Sequence, residues 1–358
     1  MTAVCGELPA GLISRFSGGD RYKELVVLSL KKEKLLTVFL QDHLRGYRLG
    51  RRAKALLLGS QPERFSFFLT GRSDTNHIKS EPARRTRLHR VAASTILALN
   101  SGANVFRDEK PHIFSPPASF HPTTFDLTDT PAFYSSREVK EMGLDATRIK
   151  GSRMTGILLA PAAAYLMYQG GVQMPELDRK AEQRTQSFLL QVLCGSRFAG
   201  RYGADCLRTV LTCDGMQGLT EILQDAQTPR RSFFPLENSN NNFYYLTNDH
   251  CGDVLLSLLC DADRQEAFRK VLLSELRSLS RSLPVEYDAV DKAGRPVLFA
   301  YLPDIPRLGR FLAGLSLHGL QGCIACFDFQ AQALESCCGK NVKILPISFE
   351  QFERGFCP

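Results

Sequence analysis

The sequence predicts a mixed α/β protein whose first sixty residues form a small basic helix-and-hairpin head, and three observations carry that prediction. Beyond residue 104, strand-length apolar runs alternate with stretches of helical period, the pattern of an α/β body. Residues 1–100 hold 18 Lys/Arg against 8 Asp/Glu, a net of +10, whereas the remaining 27 Lys/Arg and 29 Asp/Glu leave −2. Of the 358 residues, 44% are apolar and 23% charged, a balance that buries cores and excludes wholesale disorder. The length allows two or three domains. The pattern divides the chain into a head at 1–60, a linker at 61–82, an α/β domain at 83–230 and a second α/β region at 231–358.

A basic head on a near-neutral body reads either as a polyanion-binding module or as a merely soluble surface. No run of eighteen apolar residues occurs, so no spanning helix and no membrane partner are expected. Met1–Glu7 has no basic segment leading into an apolar stretch, so no secretory leader is read and a cytoplasmic protein is expected. The eleven cysteines are scattered, odd in number and mostly set in apolar runs such as Leu258-Leu259-Cys260, as free thiols of a reducing compartment are.

Glu7–Phe16 is a short helical pattern with Leu8, Leu12, Ile13 and Phe16 on one side. Ser17-Gly18-Gly19 breaks it, and Asp20 is expected as the next N-cap. A helix is predicted from Arg21 to Lys34, with Tyr22, Leu25, Val26 and Leu30 as its apolar face and Arg21, Lys23, Lys31, Lys32 and Lys34 on the rest. Leu35–Leu40 reads as a strand, Gln41–Gly46 as a turn, Tyr47–Leu49 as a returning strand and Gly50–Leu57 as a closing helix. This order, with the phrase Gly46-Tyr47-Arg48-Leu49-Gly50-Arg51-Arg52-Ala53, resembles the winged helix-turn-helix family. The resemblance implies double-stranded DNA as partner, and a helix about 10–12 Å across fits a major groove. Arg21, Tyr22 and Lys23 are then expected to approach bases, and Lys31, Lys32, Arg45, Arg48, Arg51 and Arg52 to contact phosphates, with Arg45-Gly46 as a flexible tip. Each phosphate neutralised releases counterions and gives affinity without sequence preference. Winged helices also bind proteins, so an adaptor role stays open. The family's first helix looks short or absent here: either another part of the chain completes that core or the start lies upstream of Met1.

After an aromatic-polar stretch and an exposed loop at Gly71–His77, a helix is predicted at about 82–100. Arg84, Arg87 and Arg90 recur at three-residue spacing along it, with Leu88 and Val91 turned to a core. They read as a second phosphate-contact surface or as a salt-bridged face; Arg84 and Arg87 are taken as candidate DNA contacts. His89 reads as a satisfied helix histidine.

In the body, Val105–Arg107 and His112–Phe114 are expected as strands, Tyr134–Lys140 as an N-capped helix start, Arg153–Tyr168 as a hairpin, Glu176–Leu193 as a helix and Cys206–Thr212 as a strand. This order resembles the core of restriction-endonuclease-like folds, whose active members hold magnesium with a carboxylate at the hairpin start and an acidic-x-Lys element on the next strand. Here Arg153-Met154-Thr155-Gly156 and Tyr168-Gln169-Gly170 stand in those places, and Glu182 is the nearest acid, so a catalytically degenerate fold is expected. The alternative is an ordinary α/β layer.

The last third reads as a strand at 242–246, one or two helices over 252–279, a hairpin of 285–290 with 296–301, a helix at 304–316, a strand around Cys323, a helix at 330–338 and a strand at 342–347. Cys323 and Cys326, three apart on a strand, point to opposite faces, which opposes shared metal ligation. Asp288, Asp291, Asp304 and Asp328 lie near strand ends, as hairpin and capping residues or as acids of a site. No glycine-rich phosphate loop, serine elbow or histidine pair is present, so no metal or other cofactor is expected.

Gly46–Leu49, Arg87-Leu88-His89-Arg90, Tyr134-Ser135-Ser136 and Gly151–Gly156 together resemble the replication-relaxation family of bacterial plasmids and conjugative elements, over about residues 1–195. The resemblance implies a non-enzymatic DNA-binding protein acting in replication, mobilisation or transcriptional control of a mobile element, with a homodimer or replication and relaxosome proteins as further partners. A metal-dependent nuclease-like enzyme and a protein-binding adaptor are the alternatives.

Overall fold

Short elements open the chain: α1 (Thr2–Cys5), β1 (Leu8–Pro9) and a 3-10 helix at Ala10–Arg15. The computed structural model describes residues 1–70, 81–111, 130–140, 149–171, 177–195, 201–203, 205–225, 242–274, 276 and 283–356. The chain forms two units. One is Met1–Pro161 with Leu166–Gln169 and Lys180–Leu189; the other is Ala162–Tyr165, Gly170–Arg179 and Leu190–Pro358. No helix among the described residues is long and apolar enough to cross a membrane.

In the first unit, Gly18 takes φ +97°, which a side chain resists, and turns the chain into α2 (Asp20–Lys32). Asp20 is the first helical residue and Gly19 the flanking one, so the N-cap expected at Asp20 falls one residue earlier; Asp20 instead pairs with Lys23 at 2.8 Å. β2 (Leu36–Gln41) and β3 (Leu44–Leu49) form an antiparallel hairpin closed by Asp42 and His43, both at positive φ, as two-residue hairpins require. The tip is therefore Asp42-His43, and Arg45-Gly46, expected there, lie within β3. The sheet order is β1-β3-β2.

α3 (Arg51–Ser60) runs into α4 (Pro62–Leu69), where proline at the first position suits a helix start. Phe65, Phe68 and Leu69 are buried against Ala3, Val4 and Cys5 of α1 and Ala92 of α5 (Pro82–Asn100). Residues 62–69, expected as linker, thus belong to the core, because apolar positions three and four apart share one helix face; Arg64 ties them to Asp108 at 2.8 Å. Gly71–His77 lie outside the described residues. Ile96 of α5 joins Leu8 and Tyr47, with Val27 and Leu36 packed around them. A later helix therefore contributes to the head's core.

Beyond α5, Asn104 makes a single bridge to Ala132, and Arg107–Glu109 is a 3-10 turn, where a strand was expected at 105–107; residues 112–114 lie outside the described ones. β4 (Ala132–Ser135) takes Tyr134, expected as helix, and α6 (Ser136–Lys140) follows. Ser135 and Glu138 cap its start reciprocally: Ser135 N–H donates to Glu138 Oε2 (2.8 Å) and Glu138 N–H to Ser135 Oγ (3.4 Å). β4 pairs antiparallel with β5 (Gly156–Leu159), and Leu166–Gln169 of β6 (Ala164–Gly171) lies beside β5. α7 spans Arg179–Gly195.

In the second unit, the ends of β6 bond to the segments flanking β7 (Leu207–Cys213): Ala164 N–H donates to Cys206 O and Asp214 N–H to Gly171 O. β7 pairs parallel with β8 (Phe243–Thr247) across α8 (Gln217–Asp225). The helical stretch expected over 252–279 is two helices, α9 (His250–Cys260) and α10 (Ala262–Ser274). A four-stranded sheet of order β12-β11-β10-β9 follows, from β9 (Ala289–Val290), β10 (Pro296–Phe299), β11 (Gly322–Phe327) and β12 (Val342–Ile347). β10, β11 and β12 are parallel, connected through α11 (Ile305–Leu317) and α12 (Asp328–Cys337). α13 (Phe349–Phe356) sets Phe352 and Phe356 against Phe268.

Candidate nucleic-acid interface

No residue of α2 is buried. Its inner side is formed by Lys23, Val27 and Leu30, and at 100° per residue its opposite side centres on Arg21, Leu25, Leu28 and Lys32, flanked by Tyr22 and Ser29. Tyr22 is 66% exposed and Leu25 and Leu28 57% each. The apolar face expected at Tyr22, Leu25, Val26 and Leu30 is thus mostly turned to solvent, because the helix packs through Val27 on the small sheet and leaves an open cleft of about 710 Å³ bordered by Ile13, Val27, Lys31 and Tyr47.

The expected contact residues separate into two groups. Arg21, Tyr22, Lys31, Lys32, Arg45, Arg51, Arg52 and Arg84 are exposed. Arg52 stands 3.9 Å from Glu33, and Arg84 pairs with Glu81 at 2.8 Å, both at the surface, where such pairs are worth little. Lys23, Arg48 and Arg87 are half-buried. Lys23 Nζ donates to Ser14 O (3.0 Å) and Phe16 O (3.3 Å), tying α2 to the turn before it, so it does not approach bases as expected. Arg48, expected on phosphate, donates through Nε to Glu7 Oε2 (2.8 Å) with its guanidinium over Phe39. Arg87, also expected on phosphate, is half-buried on α5, where burial lowers its pKa.

Nothing in the sequence pattern singles out Glu7. Fully buried just ahead of β1, it receives Arg85 Nη2 at 2.6 Å, Arg48 and His89 Nε2 at 2.8 Å. Burial works against its charge, but hydrogen bonds from Arg85, His89 and Arg48 outweigh that and hold its pKa at about 2. Arg85 also donates to the carbonyls of Gln41 (2.8 Å) and Leu44 (2.8 Å), so one buried guanidinium clamps both strands of the hairpin at its tip. Burial, helped by repulsion from Arg85 and Arg48, lowers the His89 pKa and outweighs the hydrogen bond and charge of Glu7, which raise it. A neutral ring can face a carboxylate only by donating, so Nε2 carries the proton. Gly46 is required here: a Cβ on it would stand 2.8 Å from Glu7 Cδ.

Elsewhere the acids that the sequence offered accept hydrogen bonds within the fold. Glu182 is buried and accepts from Ser152 Oγ (2.6 Å), Arg153 N–H (2.6 Å) and Tyr168 hydroxyl (2.7 Å). Asp291 closes the β9–β10 turn by accepting from Ala293 and Arg295 N–H, and Asp328 accepts from Phe349 N–H. Asp304 accepts from Phe243 N–H, while Asp288 accepts from Phe299 N–H and Arg307; both border a cavity of about 560 Å³ walled by Tyr244, Phe299 and Tyr301. Among the described residues no three His, Cys, Asp or Glu stand together as a metal site, and ten cysteines are free.

No family model, no curated protein and no solved structure matches this chain.

Proposed function

We propose that the head is a winged-helix module that binds double-stranded DNA with α2 in the major groove and the β2–β3 hairpin as wing. The observation that carries this reading is the fully unburied α2, with Arg21 and Lys32 at the two ends of its outward side and Lys31 beside them. The element order, short helix, strand, 3-10 helix, long helix and hairpin, with sheet order β1-β3-β2, supports the reading. Arg21, Lys31, Lys32, Arg45, Arg51 and Arg52 supply the phosphate contacts; base contacts fall to Tyr22, Leu25 and Leu28.

The test is a salt titration of a labelled duplex. With three to five of these cations engaged, log K falls against log salt with a slope of roughly −3 to −5. Lys31→Glu with Lys32→Glu flattens the slope by about two and weakens binding to every duplex alike. A slope near zero in the wild type refutes the proposal.

A second reading rests on the apolar exposure of Tyr22, Leu25 and Leu28 on α2: an adaptor whose head docks on protein, as exposed apolar patches do. Salt-insensitive binding of a protein partner, with no duplex binding, selects it.

We read the body as a degenerate restriction-endonuclease-like layer with no catalysis, supported by the enclosure of Glu182 among Ser152, Arg153 and Tyr168. A cytoplasmic role in replication, mobilisation or transcriptional control of a mobile element, alone, as a homodimer or with relaxosome proteins, is what the family resemblance adds to this proposal. Magnesium-dependent cleavage of duplex DNA that is lost with Glu182→Gln overturns the non-enzymatic part.

A further inference from the structure

β2 is the outer strand of the head's sheet, and its pairing with β3 fixes which residues face the open edge. Gly50 N–H donates to Leu35 O at 2.8 Å, so Leu35 and Gly50 are a hydrogen-bonded pair, and in an antiparallel ladder such pairs recur at every second residue. Thr37, Phe39 and Gln41 therefore turn their N–H and C=O groups to β3, and Leu36, Val38 and Leu40 turn theirs outward. Among the described residues, none of these outward groups has a hydrogen-bond partner.

An open edge is normally guarded against a further strand by a charge, a proline or a bulge. β2, Leu36-Thr37-Val38-Phe39-Leu40-Gln41, has neither charge nor proline, and its register with β3 runs through all six residues without a bulge. Leu36, Val38 and Leu40 also share one face of the sheet. Leu36 packs on the head's core, whereas Val38 is 37% and Leu40 68% exposed.

This edge is complementary to itself. A two-fold axis at Val38 lays a second β2 antiparallel along the first, with Leu36 opposite Leu40, Val38 opposite Val38 and Leu40 opposite Leu36 of the second copy. Each pair joins two outward-facing residues, so each exchanges both of its N–H···O=C bonds, and every opposed side chain is apolar. A slip by one residue sets outward groups against inward ones, and a slip by two leaves some unpaired. Charge matches as well: beyond each end of the paired strands, the same register brings exposed Lys34 alongside exposed Asp42 of the second copy.

We propose that two copies of the chain associate through β2, joining their small sheets into one continuous sheet across a two-fold axis. The proposal holds whether α2 binds DNA or protein, and it gives the homodimer an interface. One short strand pair buries less than the roughly 1,200–2,000 Å² of a standard stable interface, so the dimer is weak, with a Kd of micromolar order.

The experiment is sedimentation velocity of the full chain, without nucleic acid, over roughly 1–300 µM, where micromolar complexes assemble. The wild type is expected to move from one chain mass towards two as concentration rises. Val38→Lys sets two ammonium groups opposite each other on the axis and is expected to raise the dimer Kd about tenfold; Val38→Glu acts in the same way. Mixed in equal amounts, the two variants oppose Lys to Glu and sediment heavier than either alone, a restoration that this register alone yields. Circular dichroism checks that each variant keeps the wild-type fold, and Leu40→Lys, at the most exposed of the three positions, takes the place of one that does not. A wild type that stays monomeric throughout overturns the proposal and leaves the edge to a strand of another protein. Undiminished association in Val38→Lys, or a mixture that behaves as the sum of its parts, overturns it equally.

Discussion

Arg85 of α5 and Glu7, 78 residues apart in sequence, meet at 2.6 Å between Nη2 and Oε1 with neither side chain exposed to solvent. Through this contact α5 becomes part of the head, because the same guanidinium donates to Gln41 and Leu44 on either side of the hairpin turn. The pair sets how the protein responds to acid. The Glu7 carboxyl is held at about 2, below its ordinary 4.5, so the folded state binds its proton less readily than the unfolded state. The stabilisation is therefore complete above about pH 4.5 and is lost as pH falls towards 2, on the order of 3 kcal/mol in all. Urea unfolding followed from pH 6 to pH 2.5 is expected to show this loss in the wild type and a flatter profile in Glu7→Gln. Arg85→Met, which strands a buried carboxylate, is expected to cost about 3–5 kcal/mol at pH 7.

Gly46 and Glu7 are coupled by space. A methyl at residue 46 collides with the Glu7 carboxylate, so Gly46→Ala is expected to destabilise by about 1–3 kcal/mol. In a double-mutant cycle with Glu7→Ser, which vacates that space, the two losses are expected to fall short of additivity by 1 kcal/mol or more, on the order seen for touching residues. Strict additivity in the denaturation midpoints sinks the geometric argument.

The cations of the head are expected to separate by assay. Lys23→Met and Arg48→Met act on stability, because Lys23 ties α2 to Ser14 and Phe16 and Arg48 neutralises Glu7. Lys31→Glu and Lys32→Glu sit on exposed positions and are expected to change stability by under about 0.5 kcal/mol while weakening duplex binding. Chemical denaturation and fluorescence anisotropy on the same four proteins check the split. A loss of affinity in Lys23→Met with unchanged stability contradicts it.

Much of this fold was readable from periodicity alone. α5 begins at Pro82 and runs nineteen residues without a breaker, and its observed bounds match the expected ones. β11 is an apolar run of strand length, as buried parallel strands are, and β12 is a shorter apolar signal on a partly exposed edge strand. α4 and α13 carried the same kind of signal, in Phe65-x-x-Phe68-Leu69 and Phe349-x-x-Phe352, but their polar flanks masked it. What periodicity could not supply was the direction of a face. Tyr22, Leu25 and Val26 are apolar and share a stripe, yet Lys23 turns inward because the carbonyls of Ser14 and Phe16 accept its ammonium. The Glu7 site was unreadable for a different reason: its partners lie 41, 78 and 82 residues away, and only the fold brings them together.

The outward side of α2 makes the sharpest claim about recognition. Leu25 and Leu28 are central on it and offer no hydrogen bond, so the base feature they can contact favourably in a major groove is the thymine methyl. A duplex in which uracil replaces thymine keeps its phosphates and its hydrogen-bonding edges and loses only those methyls. Wild-type affinity is expected to fall several-fold on that duplex at fixed salt, while the salt slope is unchanged because the phosphate contacts remain. Leu25→Ser with Leu28→Ser is expected to keep the stability of the wild type, since both side chains are exposed, and to bind the thymine and uracil duplexes equally. Anisotropy titrations of two proteins against two duplexes settle the matter: discrimination that persists in the serine variant places the reading of thymine elsewhere on the head.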